Sequence, residues 1–125
     1  MATEEKSKLV AIVDDDELIR ESLHGLMKEA GLPAKAFASA EEFLSSDELE
    51  HTACLIADIR MPGMSGLQLQ ARLNEDHRRI PIIFITAQGD EKLRLQALRA
   101  GAVEFLTKPF DDEVLLENVR AAMAN

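Results

Sequence analysis

Short apolar runs alternate with longer amphipathic segments five times along this 125-residue chain. Most of the runs are continuous, which is typical of strands that helices cover on both faces. They predict strands over residues 9–13, 34–37, 54–57, 80–85 and 102–106. The run at 34–37 is the weakest and most polar, and this indicates a strand at the edge of the sheet.

The amphipathic segments between these runs predict five helices. In the first, Ile19, Leu23 and Met27 share one stripe, and Gly31 is a candidate C-cap. The later helices begin near N-terminal cap signals, which are Ser39 with Glu42, Ser65 with Gln68, Asp90 or Glu91, and Asp111. The (βα)₅ order predicts an α/β fold, a doubly wound five-stranded parallel sheet with helices on both faces.

The length of the chain suits one domain, which we expect over residues 8–125 after a flexible N-terminus at residues 1–7. The net charge of −9 argues against direct binding of nucleic acid, because the phosphate backbone attracts clustered Lys and Arg. No signal peptide and no long apolar segment are visible, so we expect a cytoplasmic protein without membrane contact. The single cysteine, Cys54, excludes an internal disulfide.

Chemically useful side chains follow four of the predicted strands. Asp14 and Asp15 follow the first, Asp58 the third, Thr86 the fourth and Lys108 the fifth. In an open doubly wound sheet, ligands bind beyond the carboxyl ends of the strands. These side chains are therefore the candidates for a functional site.

The three aspartates meet only if the first and third strands are neighbours. Adjacent strands lie about 4.8 Å apart, whereas a 3-2-1-4-5 order would separate these two by about 10 Å. We therefore predict the order 2-1-3-4-5. Two carboxylates 4 Å apart repel by about 4 kcal/mol at an effective dielectric of 20. A proton, a cation or a lysine of the chain itself must relieve this repulsion.

An all-oxygen site with few carboxylates suits Mg²⁺, which completes its coordination with water and phosphate oxygens. Lys108 adds a compact positive charge and Thr86 a hydroxyl donor. Together, these groups predict phosphoryl transfer onto the Asp58 carboxylate.

From residue 9 to about residue 123, the chain resembles the receiver domains of two-component response regulators, which have a flavodoxin-like fold. The resemblance rests on four segments at strand ends, namely residues 13–15 (VDD), 58–66 (DIRMPGMSG), 86–87 (TA) and 108–110 (KPF). The third-strand segment, with Gly89 and Asp90 later, is most similar to receivers of LuxR-type regulators, such as nitrogen-fixation regulators. No output domain follows in this sequence, so the chain is either a fragment or a single-domain regulator.

The resemblance implies that Asp58 accepts a phosphoryl group from a sensor histidine kinase. It implies that Asp15 ligates Mg²⁺ directly, that Asp14 does so mainly through water, and that the backbone carbonyl of Arg60 is a further ligand. Asp58 completes this metal set. The domain would then be no enzyme in the usual sense, but would assist its own phosphorylation and dephosphorylation.

The resemblance also implies a switch. Lys108 would contact the phosphoryl oxygens, after a cis Lys108–Pro109 bond, while Thr86 would move toward the phosphate and Phe105 would change rotamer with it. The surface of the fourth helix, fifth strand and fifth helix would then control an output domain or protein partner, or form a homodimer.

Each site residue also has a simpler interpretation. Asp14 and Asp15 could be ordinary acids at a helix N-terminus, and Asp58 an ordinary turn aspartate. Two other functions also compete with the switch. A haloacid-dehalogenase-like phosphatase requires a second aspartate two residues after the nucleophile, where this chain has Arg60, and a cap domain that this chain lacks. An interaction module that needs no phosphorylation is the other alternative.

Overall fold

The computed structural model describes residues 8–87 and 89–124, so the expected flexible segment 1–7 lies outside the described residues. The sheet contains β1 (Leu9–Val13), β2 (Ala34–Phe37), β3 (Thr52–Asp58), β4 (Ile82–Thr86) and β5 (Glu104–Thr107). The helices are α1 (Glu17–Glu29), α2 (Ala40–Leu44), α3 (Gly66–Glu75), α4 (Glu91–Arg99) and α5 (Asp112–Ala124), with a short 3₁₀ turn at Leu49–His51.

The strands are all parallel and lie in the order β2-β1-β3-β4-β5, which confirms the predicted topology and the edge position of β2. In the register, Val13 of β1 pairs with Phe37 of β2 on one side and Ala57 of β3 on the other. Asp58 pairs with Ile85, and Thr86 pairs with Thr107. The carboxyl ends of β1, β3, β4 and β5 therefore lie side by side.

Three strands have boundaries that differ from the prediction. β3 is longer at both ends, because Thr52 and Asp58 still pair with β1 and β4 despite being polar. β4 begins at Ile82 rather than at residue 80; Pro81 has no N–H to donate and only accepts, through its carbonyl, from Leu55 N. β5 is Glu104–Thr107 rather than 102–106, because the Ala102 amide closes the end of α4 by donating to Ala97 O.

The helix ends agree with most of the predicted caps. Ser65 and Gln68 form a complete capping box, and Asp90 and Asp111 accept hydrogen bonds from amides of α4 and α5. The box predicted at Ser39 is only half formed, since the Glu42 carboxylate accepts from Ala38 N instead. The C-cap of α1 is Ala30, and Gly31 is the next residue, with a φ of +76°.

Apolar side chains cover both faces of the sheet. On one face, β-strand residues pack with α2, α3 and α4, through side chains that include Phe43, Leu69, Leu73, Phe84 and Ala97. On the other, they pack with α1 and α5, through side chains that include Leu23, Met27, Ile56, Leu115 and Val119. Cys54 is buried in this second layer, and burial raises the pKa of its thiol to about 12. Within residues 8–87 and 89–124, no helix has both the length and the apolar character needed to span a bilayer.

Candidate functional site

Three carboxylates converge at the carboxyl edge of the sheet. Asp14, Asp15 and Asp58 each place one oxygen within 4.8 Å of the others. The cause is the strand order, since Val13 and Ala57 are paired across β1 and β3 and the aspartates follow directly. The sequence prediction that these residues meet is correct.

Asp14 is the most buried member, with 1% of its surface exposed. Its Oδ1 accepts a hydrogen bond from Asp16 N at 2.9 Å, while no donor in the described part of the chain hydrogen-bonds to Oδ2. Burial is the main cause that raises the pKa of Asp14, and the charges of Asp58 and Asp15 act in the same direction. The Asp16 amide and Lys108 oppose this shift.

Asp58 is half-buried at the last position of β3. Its Oδ1 accepts from Arg60 N at 3.3 Å. Burial raises the pKa of this carboxyl, and Lys108 is the strongest opposing influence. Asp15 is exposed, so the cluster is open to solvent on its side. An open, partly buried carboxylate is a suitable nucleophile for an incoming phosphoryl group.

Lys108 and Thr86 lie next to this cluster. Lys108 Nζ is 3.7 Å from Asp14 Oδ2, and its side chain is 21% exposed. The backbone ties the two residues together, because Lys108 N donates to Thr86 O at 2.8 Å. Thr86 is buried at the end of β4. The Lys108–Pro109 peptide bond is cis, as the resemblance implied.

Phe105 lies two residues before the end of β5, paired with Phe84 of β4. Its side chain is 8% exposed and belongs to the core layer under α2, α3 and α4. A core role and a switch role are both compatible with this position. The structure thus places Phe105 away from the aspartates but in the strand that leads to Lys108.

The loop after Asp58 approaches the sheet closely. Gly66 N donates to Ile59 O at 2.8 Å, which closes the loop that contains Arg60. A Cβ atom at Gly66 would collide with Asp58 O and would lie 3.0 Å from Ile59 Cα and from a ring atom of Phe84. Position 66 therefore requires glycine for space. The Arg60 side chain is exposed, and its backbone amide is the group that contacts Asp58.

The donor set fits a hard divalent cation. It consists of carboxylate oxygens, and the buried Asp14 Oδ2 atom has no hydrogen-bond donor among the described residues. Buried polar atoms are nearly always satisfied, so such an atom is expected to have a ligand that completes it. Oxygen ligands with open positions are the environment that Mg²⁺ prefers.

A comparison with family models decides what kind of domain this is. Residues 10–120 match the model described as the response regulator receiver domain. The chain belongs to this family. Both the resemblance seen in the sequence and the predicted fold class are thereby confirmed.

Two curated relatives of this receiver domain illustrate the match. This chain is 46% identical over 121 residues to nodulation protein W of Bradyrhizobium diazoefficiens, and the match covers 96% of this chain and 53% of that protein. It is 40% identical over 114 residues to the transcriptional regulatory protein FixJ of Azorhizobium caulinodans, covering 91% of this chain and 54% of that protein. The chain thus spans about half the length of the curated relatives it matches.

Solved structures of similar receivers have the same fold. The crystal structure of FixJ-N superimposes with a TM-score of 0.85 at 38% identity, covering 97% of both chains. The response regulator StyR superimposes with a TM-score of 0.85 at 42% identity, covering 94% of this chain and 60% of that chain. The similarity to FixJ agrees with the predicted resemblance to receivers of LuxR-type regulators.

Sequence reasoning missed Arg20, a side chain that supports the receiver site. Arg20 of α1 donates from Nη1 to the backbone carbonyl of Asp14 at 2.8 Å. A signal was present, because a cation near a helix N-terminus is unfavourable with respect to the macrodipole and needs a compensating partner. Arg20 therefore holds the turn between β1 and α1 in which Asp14 and Asp15 lie.

Proposed function

We propose that this receiver domain is a phosphorylation-gated signalling switch in which Asp58 accepts a phosphoryl group from a sensor histidine kinase. The observation that supports this most strongly is the cluster of three aspartate oxygens within 4.8 Å, with Lys108 Nζ at its edge. Three adjacent carboxylates repel one another and lower the stability of the fold unless a ligand relieves the repulsion. A purely structural role therefore does not account for the cluster.

The proposed transfer is a single displacement at phosphorus. One carboxylate oxygen of Asp58 attacks the phosphoryl group of a phosphohistidine, a P–O bond forms and the P–N bond breaks. The electron pair of the broken bond returns to the imidazole of the kinase. The product is an aspartyl phosphate, in which Asp58 carries a phosphoryl group with additional negative charge and several strong acceptor oxygens.

The residues proposed to hold Mg²⁺ are Asp14, Asp15 and Asp58, with the backbone carbonyl of Arg60. The ion, when bound, supplies positive charge that offsets the repulsion between the carboxylates and the phosphoryl oxygens. Lys108 contributes a second positive charge from the β5 side and is proposed to contact the phosphoryl oxygens. The Asp14 Oδ2 atom, which has no hydrogen-bond donor among the described residues, and the raised pKa values of Asp14 and Asp58 support a role for these carboxylates in binding a cation.

Signal output is proposed to follow from Thr86 and Phe105. The Thr86 hydroxyl moves toward the phosphoryl group, Phe105 changes rotamer, and the surface of α4, β5 and α5 changes with them. Exposed apolar side chains on or beside these elements support a role in contact with a partner. They are Leu95 of α4, Val103 before β5 and Val114 of α5, at 37%, 45% and 37% exposure.

The proposed partners are a sensor histidine kinase and an output domain or protein, with a homodimer through the α4, β5 and α5 surface as one form of output. Since FixJ is named a transcriptional regulatory protein, control of transcription is the output we favour. With a net charge of −9, this domain itself is proposed not to touch DNA. Its proposed location is the cytoplasm.

Incubation with acetyl phosphate and Mg²⁺, followed by intact-mass analysis, separates this function from that of a phosphatase. A switch takes up a single phosphoryl group and shows little turnover of phosphate esters. Rapid multiple turnover of esters would favour the phosphatase. Absence of any uptake, with a folded protein and Mg²⁺ present, would count against the switch.

A further inference from the structure

The loop between β3 and α3 has a contact from a distant helix that the proposed chemistry does not use. Glu41, in the first turn of α2, accepts a hydrogen bond at Oε2 from Met64 N at 2.9 Å. The two residues are 23 positions apart in sequence. The same carboxylate oxygen lies 2.8 Å from the position that a Cβ atom of Gly63 would occupy. Glycine at 63 therefore leaves room for Glu41 to reach the loop backbone.

This carboxylate is not needed to cap its own helix. The amide of Glu42 is satisfied by Ser39 Oγ at 3.0 Å, and the Glu42 carboxylate accepts from Ala38 N at 2.7 Å. Glu41 instead extends across to the loop. Gly63 directly precedes the Met64 amide that Glu41 binds, and its φ is +74°. Residues with a side chain rarely adopt this conformation.

The tethered loop is linked to two groups of the proposed site, one directly before it and one within it. Asp58 precedes it, and the Arg60 carbonyl, the proposed backbone ligand, lies within it. The loop also has hydrogen bonds near its ends, where Arg60 N donates to Asp58 Oδ1, Gly66 N donates to Ile59 O and the Ser65 capping box begins α3. The Met61 side chain, within the loop, is buried in the core. Glu41 is therefore a restraint on the middle of the loop, imposed from a separate helix.

We propose that Glu41 is a positioning residue for the phosphoacceptor loop, which it holds in the conformation that binds Mg²⁺ and accepts the phosphoryl group. This inference rests on the proposed function. Mg²⁺ tolerates little deviation from octahedral geometry, so a loop that supplies a ligand must be held in place before the ion arrives. Glu41 acts through the Met64 amide and makes no contact with the ion.

The test compares the wild type with Glu41→Ala, Glu41→Gln and Glu42→Ala. The glutamine variant keeps an acceptor oxygen, and Glu42→Ala removes a neighbouring carboxylate of the same helix without touching the loop. The hydrogen-exchange rate of the Met64 amide, measured by NMR on the protein without Mg²⁺, reports directly on its hydrogen bond to Glu41. Mg²⁺ titration and the rate of phosphoryl uptake from acetyl phosphate report on the site, and thermal unfolding reports on the fold.

We expect Glu41→Ala to accelerate Met64 exchange and to weaken Mg²⁺ binding by about three- to tenfold, the range for loss of one hydrogen bond. Phosphoryl uptake at subsaturating Mg²⁺ should slow by a similar factor and recover at high Mg²⁺. Glu41→Gln and Glu42→Ala should both bind Mg²⁺ within about twofold of the wild type.

Two results would overturn the inference while leaving the proposed function intact. One is a Glu41→Ala protein with faster Met64 exchange but wild-type Mg²⁺ binding and uptake. The other is an equal loss of Mg²⁺ binding in Glu42→Ala, which would indicate a general effect of α2. A wild type that neither binds Mg²⁺ nor takes up phosphate would instead overturn both.

Discussion

Lys108 Nζ lies 3.7 Å from Asp14 Oδ2, an oxygen that is buried and has no hydrogen-bond donor among the described residues. The ammonium group is therefore a positive charge built into an otherwise acidic pocket. At this distance and burial the pair is an ion pair without a direct hydrogen bond. We propose that a phosphoryl group entering the pocket is the acceptor that Lys108 binds.

Replacement of this charge should impair phosphorylation. In Lys108→Ala, the incoming phosphoryl oxygens lose a charged donor, which is worth about 1.5–3 kcal/mol and corresponds to roughly 10- to 100-fold in rate. The rate of uptake from acetyl phosphate, followed by intact mass, measures this loss. Lys28→Ala, at an exposed position near the end of α1, is the matched control and should react like the wild type. Equal rates for Lys108→Ala and the control would refute the proposed role.

The raised pKa of Asp14 predicts a pH dependence of stability in the absence of divalent cations. A carboxyl whose pKa is higher in the folded state binds more protons when folded, so the free energy of unfolding falls as the pH rises. The fall begins near the unfolded value of roughly 3.9 and ends above the raised pKa in the folded state. Desolvation is the largest cause, and the charge of Asp58 adds to it.

Asp14→Asn removes this charge and should therefore be more stable than the wild type at pH 7 without metal. We expect the gain because burial and the charges of Asp58 and Asp15, which raise the pKa of Asp14, disfavour its ionised form at this pH. Urea unfolding in EDTA at pH 4 and at pH 7 measures it. The advantage of the variant should shrink at the lower pH, where the Asp14 carboxyl is partly protonated. A variant less stable than the wild type at pH 7 would contradict the predicted sign.

Addition of Mg²⁺ should stabilise the wild type, because a ligand that binds only the folded state shifts the unfolding equilibrium. At a concentration 100 times the dissociation constant, the gain is about 2.7 kcal/mol. Asp15→Asn should lose most of this increment, and EDTA should reverse it in the wild type. Asp16→Asn is the control, since Asp16 caps α1 and asparagine caps equally well. The same increment in Asp15→Asn as in Asp16→Asn would exclude Asp15 from the metal site.

Gly66 should tolerate no side chain. In Gly66→Ala the added methyl group would press on the Asp58 carbonyl and on Phe84, and overpacking of this kind costs about 1–3 kcal/mol. Gly25→Ala is the opposite case, because nothing lies within 4 Å of its Cβ position in α1, and a gain of about 0.5–1 kcal/mol is expected. Chemical denaturation of both variants measures the contrast. Equal stabilities for the two alanine variants would contradict this prediction, because they would show that the loop shifts at little energetic cost to accommodate the methyl group at position 66.

Much of the fold and of the aspartate cluster could be predicted from the sequence. A continuous apolar run locates β1 correctly to the residue, because a strand buried along its whole length has little other pattern. The more polar run at 34–37 also locates β2 to the residue, although two of its four residues are exposed at the sheet edge. The meeting of Asp14 and Asp58 follows from the strand order. The order 2-1-3-4-5 is the one that brings the acids together, so the chemistry of the carboxylates and the predicted topology support each other.

The contacts that were missed are those between a helix side chain and a loop backbone. Arg20 and Glu41 lie on helices, where a charged residue is by default expected to face solvent. Their acceptor and donor, Asp14 O and Met64 N, are backbone groups that exist at every position, so the sequence does not identify which partner each side chain binds. The close approach at Gly66 was equally hidden, since it depends on how α3 packs against β3 and β4.

The most direct test of the account is the site of phosphorylation itself. Wild type, Asp58→Asn and the control Asp16→Asn are incubated with acetyl phosphate and Mg²⁺, and intact masses are recorded before and after removal of the donor. We predict one added phosphoryl group on the wild type and on Asp16→Asn, and none on Asp58→Asn. Equal labelling of Asp58→Asn and the wild type would contradict it.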